Sequence, residues 1–283
     1  MHKGLEKSFL RELYVAERRE RKPRKEMFKG TLIFENYEIK GAFLCNKKFE
    51  SRNLLMECVC FILVPLIVIV YLSTNIMTID KTLFGMRSYY AGSLIITASA
   101  VVPFVADFER KRRNVRDLTL LATIIALNVA GRAAFFMFAD FKPIFAVTII
   151  AGLAMGSDAG FMVGAMTMLI SNFMFGHGPW TVWQMLALGI IGFIAGIMAE
   201  HNLAPKKRGT LSFVGFFMAF IVYGGIMNLG AMFMSVGQPS ISALIMYYIS
   251  GIPVDVVKGI GTWLFLWIMG EPLLRKIHRV ISE

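Results

Sequence analysis

The chain has 283 residues, of which 56% are hydrophobic and only 17% are charged, and its formal net charge at pH 7 is +11. One soluble core cannot bury that much apolar surface, so the composition excludes an ordinary soluble domain and indicates a multi-pass membrane protein. The positive charge requires no nucleic acid partner, because basic loops that face an anionic lipid bilayer account for it.

Eight apolar runs approach the roughly 17 to 25 residues that cross about 30 Å of hydrocarbon. The fourth and fifth runs are short and lie on either side of a Gly-Ser-Asp sequence, and we predict that they form two separate helices. In chain order the predicted spans are 54–72, 89–106, 118–138, 143–158, 160–174, 182–199, 211–232 and 249–270.

The basic residues divide unevenly between the two sides of this topology. Of the 30 Lys and Arg residues, 25 fall on the side that carries both chain termini, and the positive-inside rule makes that side cytoplasmic. We therefore predict an all-α chain with four parts: a basic cytoplasmic extension (1–53), an additional transmembrane hairpin (54–106), a six-helix membrane domain that binds a substrate (118–270) and a cytoplasmic tail (271–283).

Sequence signatures of catalysis are absent. The chain has no phosphate-binding GxxxxGK[ST] loop, no HExxH and no GxSxG, and its four histidines are scattered by the topology. We predict no catalytic residue, no metal site and no cofactor, and we expect that the chain does not hydrolyse ATP by itself.

The segment 169–185 places two tryptophans and several amide and hydroxyl groups between two apolar runs. Its backbone is interrupted by two glycines and Pro179, and a broken backbone at membrane depth is tolerated only where protein or a cavity surrounds it. Aromatic walls with a few placed polar groups are typical of a small-molecule pocket. We predict that a loop over 173–183 closes over a ligand bound there.

Other polar side chains reach the same outer side of the bilayer in this topology. Alternative interpretations remain open, because Trp residues at this depth can be interfacial anchors and Asp255 can simply neutralise Lys258 three residues later. An ionisable residue within a span is nevertheless a functional candidate. The candidate substrate-binding residues are Arg132, Lys142, Asn172, Trp180, Thr181, Trp183, Gln184, Asn228 and Asp255.

Small side chains recur every four residues in the first helix of the predicted core, at Ala122, Ala126 and Ala130. Such a stripe allows another helix to approach closely in a membrane. The spacing alone does not distinguish packing within this chain from contact with a partner.

Several ordered motifs resemble the substrate-specific S component of energy-coupling factor (ECF) vitamin transporters, most closely the subgroup linked to cobalamin uptake. The motifs are Ala130-Gly-Arg-Ala-Ala-Phe-Phe136, Phe141-Lys-Pro143, Ile149-Ile-Ala-Gly152, Gly160-Phe-Met-Val-Gly164, Ser171-Asn172, Gly176-His-Gly-Pro-Trp-Thr-Val-Trp-Gln-Met185, Tyr223-Gly-Gly-Ile-Met-Asn228 and Gly270-Glu-Pro272.

This resemblance implies a six-helix module that captures a vitamin, with cobalamin favoured, from outside the cell. It implies partners as well: a separate membrane coupling subunit, contacted by the alanine stripe, and two cytoplasmic ATPase subunits. The extension and the hairpin depart from a plain six-helix S component.

Two other functions remain open at this point. A membrane-embedded enzyme acting on a lipid-linked substrate would need a general acid or base such as Asp255 or His177. An ion-coupled secondary carrier would work without ATPases, although no clear inverted repeat supports it.

Overall fold

The computed structural model describes residues 101, 105, 108–109, 115–205, 207–236 and 240–282. The predicted extension and nearly all of the predicted hairpin therefore lie outside the described residues. Within the hairpin, Val101 is buried and Val105 is half-buried, and both pack against the main apolar core.

Each of the six predicted core spans corresponds to helix. Five helical segments of the described chain are long and apolar enough to cross a membrane, and a sixth, α2, is shorter. An all-α, multi-pass membrane protein is thus confirmed. The helices are α1 (Val115–Ala134), α2 (Ile144–Met155), α3 (Ser157–Phe175), α4 (Trp180–Glu200), α5 (Arg208–Phe217), α6 (Gly224–Ser235) and α7 (Ile241–Ser282), with a π-helical stretch (Met218–Tyr223) joining α5 to α6.

Helix α2 is the centre of the bundle. Every residue from Ile144 to Ala154 is buried, which explains why this segment is apolar on all sides rather than along one stripe. Twelve residues span only about 18 Å, less than the roughly 30 Å hydrocarbon layer, and neighbouring helices enclose it. Gly156, with φ of 92°, ends α2 and separates it from α3, as the Gly-Ser-Asp sequence predicts.

Helices α3 and α4 pack backbone against backbone. A side-chain methyl added to Gly160 would fall on the carbonyl oxygen of Gly192, and one added to Gly192 would fall on that of Gly160. Close approach through small residues is how helices associate where lipid supplies no hydrophobic drive. The α3–α4 pair therefore forms a rigid wall of the bundle.

The last two membrane-spanning helical segments are irregular. The segment Arg208–Ser235 runs through the π-helical stretch, and such stretches often mark functional sites. Helix α7 has 42 residues and includes Pro253 and Pro272. It extends beyond the predicted span 249–270 at both ends: the two turns before this span and the charged turns after it are also helical.

Candidate functional site

One end of the bundle holds a cluster of amide, hydroxyl and guanidinium groups, here called the amide cluster. Arg132 donates a hydrogen bond of 2.8 Å from Nη1 to Oδ1 of Asn172 and also bonds to the Ser171 hydroxyl. The cluster joins α1 to α3 and α4. Its members are Arg132, Ser171, Asn172, Thr181 and Gln184.

Asn172 is the hub of this cluster and is only 1% exposed. Besides accepting from Arg132, it donates from Nδ2 to Thr181 Oγ1 at 2.9 Å and to Gln184 Oε1 at 2.8 Å. Both polar atoms of its amide are therefore used within the protein. By contrast, the hydrogen bonds of Gln184 and Arg132 leave Nε2 of Gln184 and Nη2 of Arg132 without a partner among the described residues.

Aromatic side chains cover the Arg132 end of the amide cluster. The Arg132 guanidinium lies 5.2 Å from the centroid of the Phe175 ring, a cation–π contact. Phe136, from the loop between α1 and α2, stacks on Phe175 with centroids 5.0 Å apart. The segments that follow α1 and end α3 therefore meet at Arg132, which is half-buried.

The segment between α3 and α4 is shorter than the predicted loop 173–183. Helix α3 continues to Phe175 and α4 begins at Trp180, so only 176–179 is non-helical. Pro179, with φ of −59°, precedes the first helical residue, where its fixed φ suits a helix start. The predicted extent of the loop is wrong, since Thr181, Trp183 and Gln184 lie in the first turns of α4, whereas its closure over a ligand stays a prediction.

A second cluster, here called the acid cluster, lies between α6 and α7. Asp255 accepts from Lys258 Nζ at 2.9 Å on one carboxylate oxygen and from Asn228 Nδ2 at 2.8 Å on the other. Lys258 also lies 5.4 Å from the centroid of the buried Tyr223 ring. Asp255 is 4% exposed, so partners on both oxygens compensate a charge that is costly to bury. The acid cluster consists of Tyr223, Asn228, Asp255 and Lys258.

Lys142 stands between the two clusters, in the loop that precedes α2. It is close enough to Asp140, Arg132 and Lys258 to interact with each of them electrostatically. Burial lowers the pKa of the Lys142 amine below its ordinary value of 10.5, Asp140 opposes this shift, and the two neighbouring cations add to it. Three cations and two carboxylates thus converge at this end of the bundle.

The two tryptophans have different environments. Trp183 is 4% exposed and stacks on Phe233, with ring centroids 6.1 Å apart. Its indole Nε1 is buried and has no hydrogen-bond partner among the described residues. Trp180 is 42% exposed at the start of α4. Trp183 is therefore packed within the bundle, whereas Trp180 lies at its surface.

A family model of the ECF-type riboflavin transporter S component matches residues 112–278, which is more than half of the chain. The chain belongs to this family. It is accordingly the vitamin-binding membrane subunit of an ECF transporter, and its family is one of transporter components rather than of enzymes. No curated protein and no solved structure matches the chain significantly. The predicted ECF S component is confirmed, whereas the cobalamin subgroup stays a prediction.

Three residues of this S component's two clusters are not among the substrate-binding residues predicted from the sequence. Ser171, Tyr223 and Lys258 take part through contacts with Arg132 and Asp255. Lys258 belongs to none of the sequence motifs. Its spacing of three residues from Asp255 is the sequence signal that identifies the pair.

A polar centre below the amide cluster was not predicted either. Asn128, one helical turn before Arg132, is completely buried and donates from Nδ2 to Thr148 Oγ1 at 3.0 Å and to Thr167 Oγ1 at 3.2 Å. It links α1, α2 and α3 in the core of the S component. An asparagine inside an otherwise apolar span is the sequence signal for such a link.

The alanine stripe of the S component lies on the outside of the bundle. Ala122, Ala126 and Ala130 are all exposed, while Ile124, Ile125 and Asn128 on the opposite side of α1 are buried. Packing within the described part of the chain therefore does not account for the stripe. No group of three or more potential metal ligands occurs among the described residues.

Proposed function

We propose that this S component captures its vitamin at the end of the bundle where the amide and acid clusters face one another across Lys142. The observation that carries the proposal is the convergence of five charged side chains and three amides at one end of a helical bundle that is otherwise apolar. Polar groups inside a membrane protein are costly unless paired or functional. Here several donors stay unpaired within the described residues.

The proposed roles follow from which hydrogen-bonding groups are already used. Gln184 Nε2, the remaining guanidinium N–H groups of Arg132 and the Trp183 indole N–H would donate to the ligand. Asn172 would act indirectly, because its amide is saturated and holds Arg132, Thr181 and Gln184 in place. In this respect we revise the expectation that Asn172 contacts the ligand itself.

The charge distribution favours a ligand with an electron-rich edge or an anionic group. Arg132, Lys142 and Lys258 outnumber Asp140 and Asp255 by one positive charge, and both oxygens of Asp255 are occupied. A guanidinium can pair with a carbonyl edge or with a phosphate through two parallel hydrogen bonds. Asn228 and Asp255 would then form the opposite wall and orient Lys258 towards the ligand.

A flavin is the first candidate for the vitamin, because the matching family is named for riboflavin. Its flat ring system carries carbonyl and N–H groups along one edge, which suits amide and cationic side chains. Cobalamin is the second candidate, and the resemblance of the ordered motifs between Ala130 and Pro272 to the cobalamin-linked subgroup is what favours it. Both carry groups able to accept from Arg132.

Titration of the purified full-length chain with riboflavin and with cobalamin distinguishes these candidates. We expect riboflavin to bind with at least tenfold higher affinity than cobalamin, and Gln184→Leu to weaken binding by roughly tenfold, the effect of losing one or two hydrogen bonds. Ser250→Ala, on the exposed face of α7, is the matched control. Tighter binding of cobalamin would reverse the substrate assignment, and unchanged affinity in Gln184→Leu would move the site away from the amide cluster.

Transport by this subunit would depend on a coupling subunit and two ATPases, the arrangement that its family implies. We propose that the exposed alanine stripe of α1 is the surface that docks onto the coupling subunit. Its methyl groups leave room for a partner helix at backbone distance, which larger side chains would prevent.

A further inference from the structure

A groove on the outside of the bundle lies on the opposite face of α7 from Lys258. It has a volume of about 250 Å³ and is lined almost entirely by apolar atoms of Phe213, Phe216, Ile260 and Trp263. The first two residues belong to α5 and the other two to α7. Trp263 stacks on Trp267, with ring centroids 5.7 Å apart.

Residues on one face of α7 connect the groove to a charged cluster. Ile260, Trp263, Trp267 and Glu271 are spaced by three, four and four residues, so they follow one another on the same side of the helix. Ile260 and Glu271 are about 16 Å apart along the axis, which is roughly half the hydrocarbon thickness. An acyl chain with its headgroup near Glu271 would therefore extend along the whole groove.

The charged cluster at the end of the groove carries an excess of positive charge. Arg208, the first residue of α5, pairs with Glu271 at 2.8 Å, and Arg275 pairs with the other oxygen of the same carboxylate. Two guanidinium groups thus share one carboxylate. Arg275 is 57% exposed, so it has N–H groups directed to the surroundings.

We propose that the α5–α7 groove is a binding site for an anionic phospholipid, with an acyl chain against the aromatic side chains and the phosphate paired with Arg208 and Arg275. Basic pockets between transmembrane helices on the cytoplasmic side are suited to anionic headgroups. The distribution of Lys and Arg predicts that this end of α7 is cytoplasmic. Arginine is suited to phosphate because its planar group donates two parallel hydrogen bonds.

The test uses quenching of tryptophan fluorescence in vesicles that contain phosphatidylglycerol or phosphatidylcholine with brominated acyl chains. We expect brominated phosphatidylglycerol to bind next to the groove about fivefold more strongly than brominated phosphatidylcholine, the preference produced by one net cation. The preference should disappear in Arg275→Gln, which alters a largely exposed side chain and so preserves the fold. Trp263→Phe should remove part of the quenching, which would show that the lipid binds next to Trp263.

Lys276→Gln is the matched control, because it removes one positive charge from the same end of α7 but from another face of the helix. It should keep the preference for phosphatidylglycerol. Equal quenching by the two lipids in the wild-type protein would overturn the proposal. A loss in Lys276→Gln as large as that in Arg275→Gln would also overturn it, because the effect would then come from the general surface potential.

Discussion

The guanidinium of Arg132 on α1 and the amide oxygen of Asn172 on α3 are joined by a hydrogen bond of 2.8 Å, and this contact fixes the position of the amide cluster. Through Asn172 the same bond sets the orientation of Thr181 and Gln184 on α4. Three helices therefore share one asparagine side chain.

Replacement of that side chain should weaken ligand binding without direct loss of a ligand contact. Asn172→Ala removes the partners of three polar groups, and leaving such groups unpaired costs on the order of 1 to 3 kcal/mol each. We expect riboflavin affinity to fall by ten- to a hundredfold in fluorescence titration. Asn202→Gly, at the opposite end of α4, is the control and should bind as the wild-type protein does; an unaltered affinity in Asn172→Ala would contradict a positioning role.

Breaking the buried ion pair of the acid cluster should destabilise the protein more than removing it completely. Asp255→Asn or Lys258→Met alone leaves one buried charge without its partner, at a cost of roughly 3 to 5 kcal/mol. The double variant removes both charges and should have a higher Tm than either single variant. Thermal unfolding in detergent measures this, and additive losses in the double variant would show that the two charges do not compensate one another.

Stability should depend on pH through Lys142. Since burial lowers the pKa of this amine in the folded protein below 10.5, the unfolded chain binds more protons at alkaline pH, and the free energy of unfolding rises with pH in that window. In Lys142→Met this contribution to the pH dependence of the free energy of unfolding is absent. We expect the Tm of the wild-type protein to rise relative to that of Lys142→Met as the pH approaches 10.5; a constant difference between the two would exclude a lowered pKa.

A bulky residue on the alanine stripe should separate binding from transport. In Ala126→Trp we expect unchanged riboflavin affinity of the purified chain but at least a tenfold loss of uptake in cells that contain the coupling and ATPase subunits, because the indole prevents close docking. Ile252→Trp, on the exposed face of α7, should transport normally. Full uptake by Ala126→Trp would show that the coupling subunit docks elsewhere.

The contact between α3 and α4 should not accept a single added methyl group. Gly160→Ala forces that methyl into the backbone of α4, and overpacking of this kind costs about 1 to 3 kcal/mol or more. Gly225→Ala is a suitable control, since the nearest atom to its added carbon is the Tyr248 hydroxyl oxygen at 3.9 Å. There the better helix propensity of alanine should leave Tm unchanged or slightly higher, and equal losses in both variants would refute the close contact.

The sequence alone predicts the six core helices well, because the lengths of the apolar runs and the break at Gly156 are direct consequences of bilayer thickness and backbone geometry. It does not predict the π-helical stretch Met218–Tyr223, whose last residue packs against Phe145 on α2. Nor does it predict that α7 continues through the tail to Ser282, where the exposed side chain of Arg275 lies away from the core.

For the site, the residue types were predictable but their partners were not. Spacing along one helix identifies Asp255 and Lys258 as neighbours, whereas the contact of Asn172 with Gln184 depends on the short connection between α3 and α4. The environment of Trp183 illustrates the same limit, because only the fold brings Phe233 onto its ring.

The close glycine contacts between α3 and α4 separate the helices of the S component into a rigid group and a group that can move. Backbones in contact cannot slide past one another without separating, so α2, α3 and α4 should behave as one inflexible slab. A movement that opens the site to the vitamin must then involve α1, α6 or α7. The π-helical stretch Met218–Tyr223, between α5 and α6, is a place where the backbone can bend. In the proposed site, a ligand that contacts both Gln184 on α4 and Lys258 on α7 would link the movable helices to the rigid group of α2, α3 and α4.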